Sequence, residues 1–252
     1  MVIHRTEAIV LKTKNFRQTS LIADFYTRDF GRFSGMLKGI REDVSKFNSN
    51  LDVFSLNELI FYKKTSSTLH LISQCDLKRD FRLIKANLER IKKAFFLVDL
   101  VNILTAEEDK NEDIFHLMIA CLEQLENNYD LDKIMIIFKI KLLDFIGFKP
   151  HLDSCVSCNN KIISQAKFSL KLGGLLCERC LSKDFKSRSV FRGTVASILY
   201  IEKNCFADVF RLGMNKAIKK ELNHVLDLFL EFHLDKEMPD RSSAALETSN
   251  LT

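Results

Sequence analysis

The spacing of apolar residues along the chain changes near residue 76. Before that point apolar and polar residues alternate over short runs, as in TLHLISQC, where Leu69, Leu71, Ser73 and Cys75 fall on one face. Alternation with a period of two is typical of a half-buried strand. Polar turn segments such as RDFG and KKTSS separate the runs. The pattern predicts five strands, at residues 7–12, 19–27, 32–38, 51–63 and 68–75. Such short strands favour a small barrel, because an open sheet would leave both edges unpaired.

Beyond residue 76 apolar residues recur at three- and four-residue steps, which is typical of amphipathic helices. One long helix is predicted over residues 80–105 and a second after the acidic segment AEEDKNED. The third, in LDKIMIIFKIKLLDFIGF, is apolar on nearly all sides and is therefore expected at the centre of the helical part. Two more helices are predicted at residues 191–202 and 215–234, followed by a polar tail that we expect to be mobile.

The composition, with 46% hydrophobic and 28% charged residues among 252, is that of a globular protein with room for two or three domains. The N-terminal segment lacks the apolar core of a signal peptide, so we expect a cytoplasmic protein. Residues 1–80 carry a net charge of +4, residues 81–150 of −2 and residues 151–252 of +3. This distribution favours a polyanion-binding N-terminal module, although solvated surface charge is an alternative interpretation.

Four of the seven cysteines form two C-x-x-C pairs, separated by 18 residues. These are Cys155, Cys158, Cys177 and Cys180. The spacing is that of a four-cysteine zinc site, and four thiolates leave no open coordination position for catalysis. Redox exchange and unmetallated core cysteines are the alternatives, whereas an odd cysteine count in a reducing compartment disfavours a disulfide framework.

The remaining cysteines and the residues near the two pairs give less specific predictions of structure and metal binding. The segment FSLKLGGLLC predicts a strand, a glycine turn and a second strand, as in a zinc ribbon. His151 is either a flanking surface residue or an alternative ligand. Cys75, Cys121 and Cys205 lie on apolar faces and are predicted to be core residues.

Catalytic motifs are missing from the sequence: it has no phosphate-binding glycine loop, no dinucleotide fingerprint and no H-E-x-x-H helix. Binding is therefore favoured over catalysis, and we predict that the protein is not an enzyme. A zinc-ribbon adaptor that binds only proteins is the alternative. A metal-dependent nuclease is a further rival, but no carboxylate cluster marks the ends of the predicted strands.

Basic and aromatic residues alternate in the first 46 residues, as in barrels that bind single-stranded nucleic acid through phosphate contacts and base stacking. The predicted DNA-binding residues are Lys12, Lys14, Arg17, Arg32, Lys38, Arg41 and Lys46. The interleaved aromatic residues Phe16, Phe25, Tyr26, Phe30 and Phe33 are either stacking or core residues. A second basic segment, residues 161–192, has a net charge of +6 and indicates a second contact surface. Its lysines include Lys161, Lys167, Lys171, Lys183 and Lys186.

The segments EAIVLKTKNFRQTSLIADFYTRDFGRFSGMLKGIR, LDVFSLNELIFYKK, GFKPHLDSCVSC and LGGLLCERC, in this order and spacing, resemble the bacterial recombination mediator family RecO. The resemblance spans about residues 2–235. It implies an α+β multi-domain protein: a five-stranded oligonucleotide/oligosaccharide-binding (OB) barrel at residues 1–78 and an α-helical domain at residues 79–150 and 183–236. A zinc ribbon at residues 151–182 would be inserted in the helical domain, and residues 237–252 would form the tail.

The resemblance also implies what the protein does. Members of the family bind single- and double-stranded DNA, anneal complementary strands and, with RecR, help to load RecA onto DNA coated by single-strand-binding protein. They bind the acidic tail of that protein, but no motif marks the pocket here. Expected attributes are one structural Zn²⁺ held by the four cysteines, a cytoplasmic, nucleoid-associated location and no membrane partner.

One loop departs from the family pattern. Family members often carry K-G-A-R-R-x-K-S after the third strand, and the corresponding segment here is KGIREDVSK. Lys38, Arg41 and Lys46 match the basic positions, whereas Glu42 and Asp43 place acid where a second basic residue is common. The two acids therefore count against this loop as the main phosphate contact.

Overall fold

The computed structural model describes residues 2–43, 47–64, 67, 69–127, 130–162 and 166–234. They form two compact units, the first up to residue 129 and the second from residue 130. The boundary falls inside the segment that the sequence predicts as part of a single helical domain. The predicted mobile tail lies outside the described residues.

Five strands of the first unit form a barrel, which confirms the predicted OB-type fold. They are β1 (Val2–Phe16), β2 (Ser20–Thr27), β3 (Gly31–Leu37), β4 (Leu56–Lys63) and β5 (Leu69–Arg79). The sheet order β1-β2-β3-β5-β4 closes because β1 pairs with both β2 and β4, and β3 runs parallel to β5. A bulge between Val10 and Lys12 interrupts the β1–β2 register, and bulges bend a strand locally. The bent β1 can therefore pair with different neighbours along its length.

The predicted start of β1 was wrong by five residues, because residues 2–6 pair with β4 although Val2 and Ile3 are exposed. Backbone pairing, rather than alternating burial, holds this end in the sheet. The barrel is filled from every strand by side chains that include Phe25, Phe33 and Phe61. The ring centroids of Phe33 and Phe61 lie 4.7 Å apart.

The described residues of the first unit also form three α-helices: α1 (Arg82–Lys85), α2 (Leu88–Leu104) and α3 (Glu112–Asn127). The prediction of one uninterrupted helix over residues 80–105 was wrong. Asn87 has an extended backbone, and its side chain accepts a hydrogen bond from the backbone N–H of Arg90. Asparagine in this position is a strong N-cap, so it begins a new helix instead of continuing the first.

The second unit contains α4 (Leu131–Phe145), α5 (Arg192–Lys203), α6 (Phe206–Val209) and α7 (Lys216–Leu234). Residues 134–143 of α4 are all buried, as the predicted central helix requires. Two lysines are among them. Lys139 donates to Asp227 Oδ1 at 2.7 Å, and Lys141 donates to the carbonyl oxygens of Glu202 and Asn204 at 3.0 and 2.9 Å.

A small sheet in the second unit has the order β7-β6-β8 and comprises β6 (Ala166–Ser169), β7 (Gly174–Cys177) and β8 (Arg188–Ser189). A 3-10 helix, Glu178–Lys183, follows β7. The predicted strand–turn–strand is present as β6 and β7, with Gly173 at a φ of +69° in the turn. The third strand, β8, was not predicted, because only two of its residues pair.

Candidate nucleic-acid interface and metal centre

The four predicted ligand cysteines converge at one end of the small sheet. Their Sγ atoms all lie within 4.8 Å of one another, and those of Cys158 and Cys177 are 3.8 Å apart. A tetrahedral ion with bonds of about 2.3 Å to sulfur places its ligands about 3.8 Å apart. The four-cysteine group therefore has the size and donor set of a metal site, and the set fits zinc.

Local backbone structure positions these thiols. Cys155 is buried and accepts a hydrogen bond from the backbone N–H of Cys177 at 3.4 Å, which links the first C-x-x-C turn to the end of β7. Cys180 lies in the 3-10 helix. Burial opposes ionisation of Cys155, but N–H groups of Cys177, Ser157 and Cys158 outweigh it and lower the pKa of this thiol to about 6. Such an environment favours the thiolate form that binds a metal.

Burial, reinforced by the neighbouring thiols of Cys158 and Cys177, raises the pKa of Cys180 to about 12. The pKa values of Cys155 and Cys180 are therefore shifted in opposite directions. A divalent cation at the four-cysteine group would stabilise the thiolate form of its ligands.

His151 lies beside the cysteine cluster but outside it. Its Nε2 is 2.7 Å from Ser154 Oγ, and its backbone exchanges hydrogen bonds with Gly173 and Leu175. These contacts are those of a residue that supports the first cysteine turn. Among the other cysteines, Cys75 and Cys121 are buried as predicted. The core prediction for Cys205 was wrong, because this residue is exposed at the N-cap of α6.

The basic residues of β1 lie on the outer surface of the barrel. Lys12 and Lys14 are exposed, and in the β1–β2 pairing they lie opposite Asp24 and Ile22 of β2. Arg17 lies in the β1–β2 turn with a φ of +54°, and its guanidinium is 5.3 Å from the centroid of the Phe16 ring. These exposed cations are therefore carried by one strand and the turn that follows it.

The loop after β3 folds back onto the same turn. Arg41 Nη1 donates to the carbonyl oxygen of Arg17 at 3.1 Å, and the Arg41 N–H donates to that of Thr19 at 3.0 Å. Lys38, at the start of this loop, is exposed. The structure thus brings Arg17 and Arg41 together, while Lys46 lies outside the described residues.

Arg32 differs from the other predicted DNA-binding residues because its side chain is only 19% exposed. Its guanidinium donates to Asn102 Oδ1 and to the carbonyl oxygen of Thr105, both at 3.3 Å, and lies 3.8 Å from a carboxylate oxygen of Glu107. These contacts hold the segment after α2 against β3. Arg32 therefore has the surroundings of a structural residue.

The aromatic residues divide between core and surface. Phe25, Tyr26 and Phe33 are fully buried, so the core interpretation is correct for them. The Tyr26 hydroxyl donates to the carbonyl oxygen of Asn111 at 3.2 Å. Phe16 and Phe30 are half-buried, and of the five only these two residues are partly exposed to solvent.

A line of apolar residues crosses the outside of the barrel and was not predicted. Strand pairing joins Ile3 to Tyr62, Tyr62 to Leu71, Leu71 to Met36 and Met36 to Ile22. Their sequence neighbours Ala23, Leu37 and Ile72 belong to the barrel core, so these side chains point outward, where Ile3 is exposed and the other four are half-buried. The line ends beside Lys14, which pairs with Ile22. Strands that are apolar on both faces, such as LIFYK and LHLIS, carry the signal that could have revealed it.

No helix of the described residues is long and apolar enough to cross a bilayer.

Comparison with known proteins covers almost the whole chain. A family model described as "Recombination protein O N terminal" matches residues 1–81, and one described as "Recombination protein O C terminal" matches residues 85–242. A DNA repair protein RecO of Halalkalibacterium halodurans is 30% identical over 235 residues, covering 93% of this chain and 90% of its own. The DNA repair protein RecO of Alkaliphilus metalliredigens is 29% identical, and the match covers 92% of this chain and 94% of that protein. The DNA repair protein RecO of Syntrophus aciditrophicus is also 29% identical, and the match covers 93% of this chain and 92% of that protein. The chain therefore belongs to the RecO family.

Proposed function

We propose that this protein is a DNA repair and recombination mediator that binds single- and double-stranded DNA and anneals complementary strands. The observation that carries the proposal is the exposed cationic group Lys12, Lys14, Arg17 and Arg41 on the outer surface of an OB-type barrel. Lysine and arginine in such a group can neutralise backbone phosphates. Membership of a family whose relatives bear the name DNA repair protein supports the same role.

In the proposed mechanism the barrel acts by binding and carries out no covalent chemistry. Its cations neutralise phosphates on the strands and lower the repulsion that opposes their pairing. The apolar line beside Lys14 offers Tyr62 and neighbouring side chains as a surface for unpaired bases. Arg32 is left out of this interface because its guanidinium is engaged by the segment after α2.

The metal in this proposal is one Zn²⁺ held by Cys155, Cys158, Cys177 and Cys180. Four thiolates would complete the coordination of the ion, so it would supply a structural cross-link and would leave no position for a reacting water. The proposed role of the four cysteines is to hold the two C-x-x-C turns and β7 together.

The partners in this proposal come from the resemblance to the family. They are RecR, the acidic tail of single-strand-binding protein and, through loading, RecA. We place their action in the cytoplasm, at the nucleoid. Complementary oligonucleotides coated with single-strand-binding protein provide the test, because neither a protein-only adaptor nor a nuclease should accelerate their annealing. Annealing no faster than without the protein, or cleavage of labelled DNA with Mg²⁺, would contradict the proposal.

A charge-reversal variant tests the interface itself. We expect Lys12→Glu, Lys14→Glu and Arg17→Glu together to weaken binding of single-stranded DNA by at least tenfold at low salt, because three phosphate contacts are lost. The control carries the same change of charge at Lys92, Lys93 and Lys110 of α2 and the segment after it. Fluorescence anisotropy with a labelled oligonucleotide measures both. Equal losses in the two variants would mean that net charge, and not this surface, governs binding.

A further inference from the structure

A tight turn joins the 3-10 helix to β8. The N–H of Ser187 donates to the carbonyl oxygen of Asp184 at 3.1 Å, so Phe185 and Lys186 occupy its two corner positions. Aspartate in the first position is typical of such turns, because its carboxylate can accept from the backbone two residues ahead. Here Asp184 Oδ1 accepts from the Lys186 N–H at 2.9 Å.

The turn is also attached to the sheet. The second carboxylate oxygen, Asp184 Oδ2, accepts a hydrogen bond from Ser169 Oγ at 2.6 Å, and Ser169 is the buried last residue of β6. Both oxygens of Asp184 are therefore used inside the protein. The corner that carries Phe185 is held in place from both sides.

This anchored corner presents a phenylalanine to water. Phe185 is 89% exposed, whereas the next most exposed large apolar side chain of the described residues, Val2, is 64% exposed. Burying such a side chain would contribute to the stability of the fold. The Phe185 side chain does not make that contribution, although hydrogen bonds hold the backbone of its turn in place.

The surroundings of Phe185 are cationic. Lys183, Lys186 and Arg188 are all exposed and lie within three residues of the ring in sequence, and Lys171 is exposed in the turn between β6 and β7. The two acids of residues 161–192 are Glu178 and Asp184, and Asp184 is engaged as described. An exposed aromatic ring between cations is complementary to a ligand that carries several negative charges and also has flat apolar rings.

We propose that the segment from Lys183 to Arg188 is a second contact for single-stranded nucleic acid, in which Phe185 stacks on an unpaired base and Lys183 and Lys186 contact the flanking phosphates. This inference rests on the proposed function and names a site separate from the barrel strands. One exposed ring is too small an apolar area for a specific protein interface, which buries about 800 Å² per partner. Stacking, by contrast, requires only one ring for each base.

Three substitutions at Phe185 in the full-length protein test the proposal. Stacking of a base contributes about 1–3 kcal/mol, so Phe185→Ala should weaken binding of a long oligothymidine about 5- to 150-fold. Phe185→Trp should retain the affinity because its ring can stack. Phe185→Leu should lose as much as Phe185→Ala, because leucine is apolar but has no ring. Fluorescence anisotropy at constant salt measures all three.

The control is Phe148→Ala, which removes a phenylalanine that is 48% exposed in the same unit and should leave the affinity unchanged. Binding that is equal in the wild type and Phe185→Ala would overturn the second contact and leave the proposed function standing. Failure of the wild type to bind at all would overturn both. If Phe185→Ala instead lost only co-sedimentation with phosphatidylglycerol vesicles, or if Phe185→Leu bound as the wild type does, the stacking role would be wrong.

Discussion

Gly31 joins β2 to β3 at a place where no other residue fits. Its φ is +65°, and a Cβ at this position would lie 2.1 Å from the carbonyl oxygen of Asp109. Thus both the backbone conformation and the close approach of the α2–α3 connection require glycine. The connection is held there by Arg32, whose carbonyl oxygen accepts from the Glu108 N–H at 2.8 Å.

We therefore predict that Gly31→Ala lowers the free energy of unfolding by about 2–4 kcal/mol, from backbone strain together with the displaced loop. Two controls separate these causes. Gly147 has a φ of +77°, but no atom lies within 4 Å of the position that a Cβ would take, so Gly147→Ala should lower the free energy of unfolding by backbone strain alone, about 1–2 kcal/mol. Gly213 has no strained φ and no such close atom, so Gly213→Ala should change the free energy of unfolding by less than about 1 kcal/mol. Urea denaturation of the three variants provides the values, and equal losses at Gly31 and Gly147 would exclude a contribution from the loop.

The metal centre provides a second prediction for a single residue. Cys177→Ser removes one of the four proposed ligands, so the variant should not bind the proposed zinc ion and the second unit should unfold at lower temperature than in the wild type. Metal content by plasma mass spectrometry and thermal melting monitor the two effects. Cys205→Ser is the control, because this exposed thiol lies outside the four-cysteine group. Retention of stoichiometric zinc by Cys177→Ser would contradict the assignment.

Among the secondary-structure elements, α4 depends on charge as well as on apolar burial. Lys139 is 3% exposed, and it donates to Asp227 and Asn223 of α7. A buried ion pair contributes little by itself, but removal of one partner leaves the other charge buried without its counter-ion. The pairing thus links α7 to α4.

Asp227→Ala should therefore destabilise the protein by about 3–5 kcal/mol. Replacement of both partners, Lys139→Met with Asp227→Leu, should recover most of that loss because no buried charge remains. The comparison is made by chemical denaturation at neutral pH. A double variant as unstable as the single one would show that the ion pair stabilises the protein by more than the mutual neutralisation of two buried charges.

Hydrophobic spacing predicted most strands and helices of this chain, because their burial follows from local periodicity. It failed where a backbone contact decides the outcome. Residues 2–6 extend β1 through pairing with β4, and Asn87 begins a new helix through its side-chain cap. Neither effect changes the apolar pattern, so neither could be read from it.

In the whole molecule, binding of nucleic acid should depend steeply on salt. Contacts to six to ten phosphates would reduce the affinity by about 10³–10⁵ between 50 and 200 mM salt. Each single-strand phosphate contact adds about 0.7 to the slope of log affinity against log salt, so the triple reversal at Lys12, Lys14 and Arg17 should reduce the slope by about 2. Anisotropy titrations over a salt series measure it. A slope unchanged by the reversal would show that these residues do not contact phosphates.

The convergence of the four cysteines was predictable because two C-x-x-C turns and a short hairpin are local features of the chain. Which basic and aromatic side chains are exposed to solvent was not predictable, since exposure depends on the pairing of strands that are distant in sequence. Arg32 and Lys12 look alike in the sequence, yet Arg32 lies against the segment after α2 and Lys12 faces solvent. Alternation assigns residues to two faces of a strand, but only the closure of β1 on β4 and the pairing of β3 with β5 determine which face becomes the core.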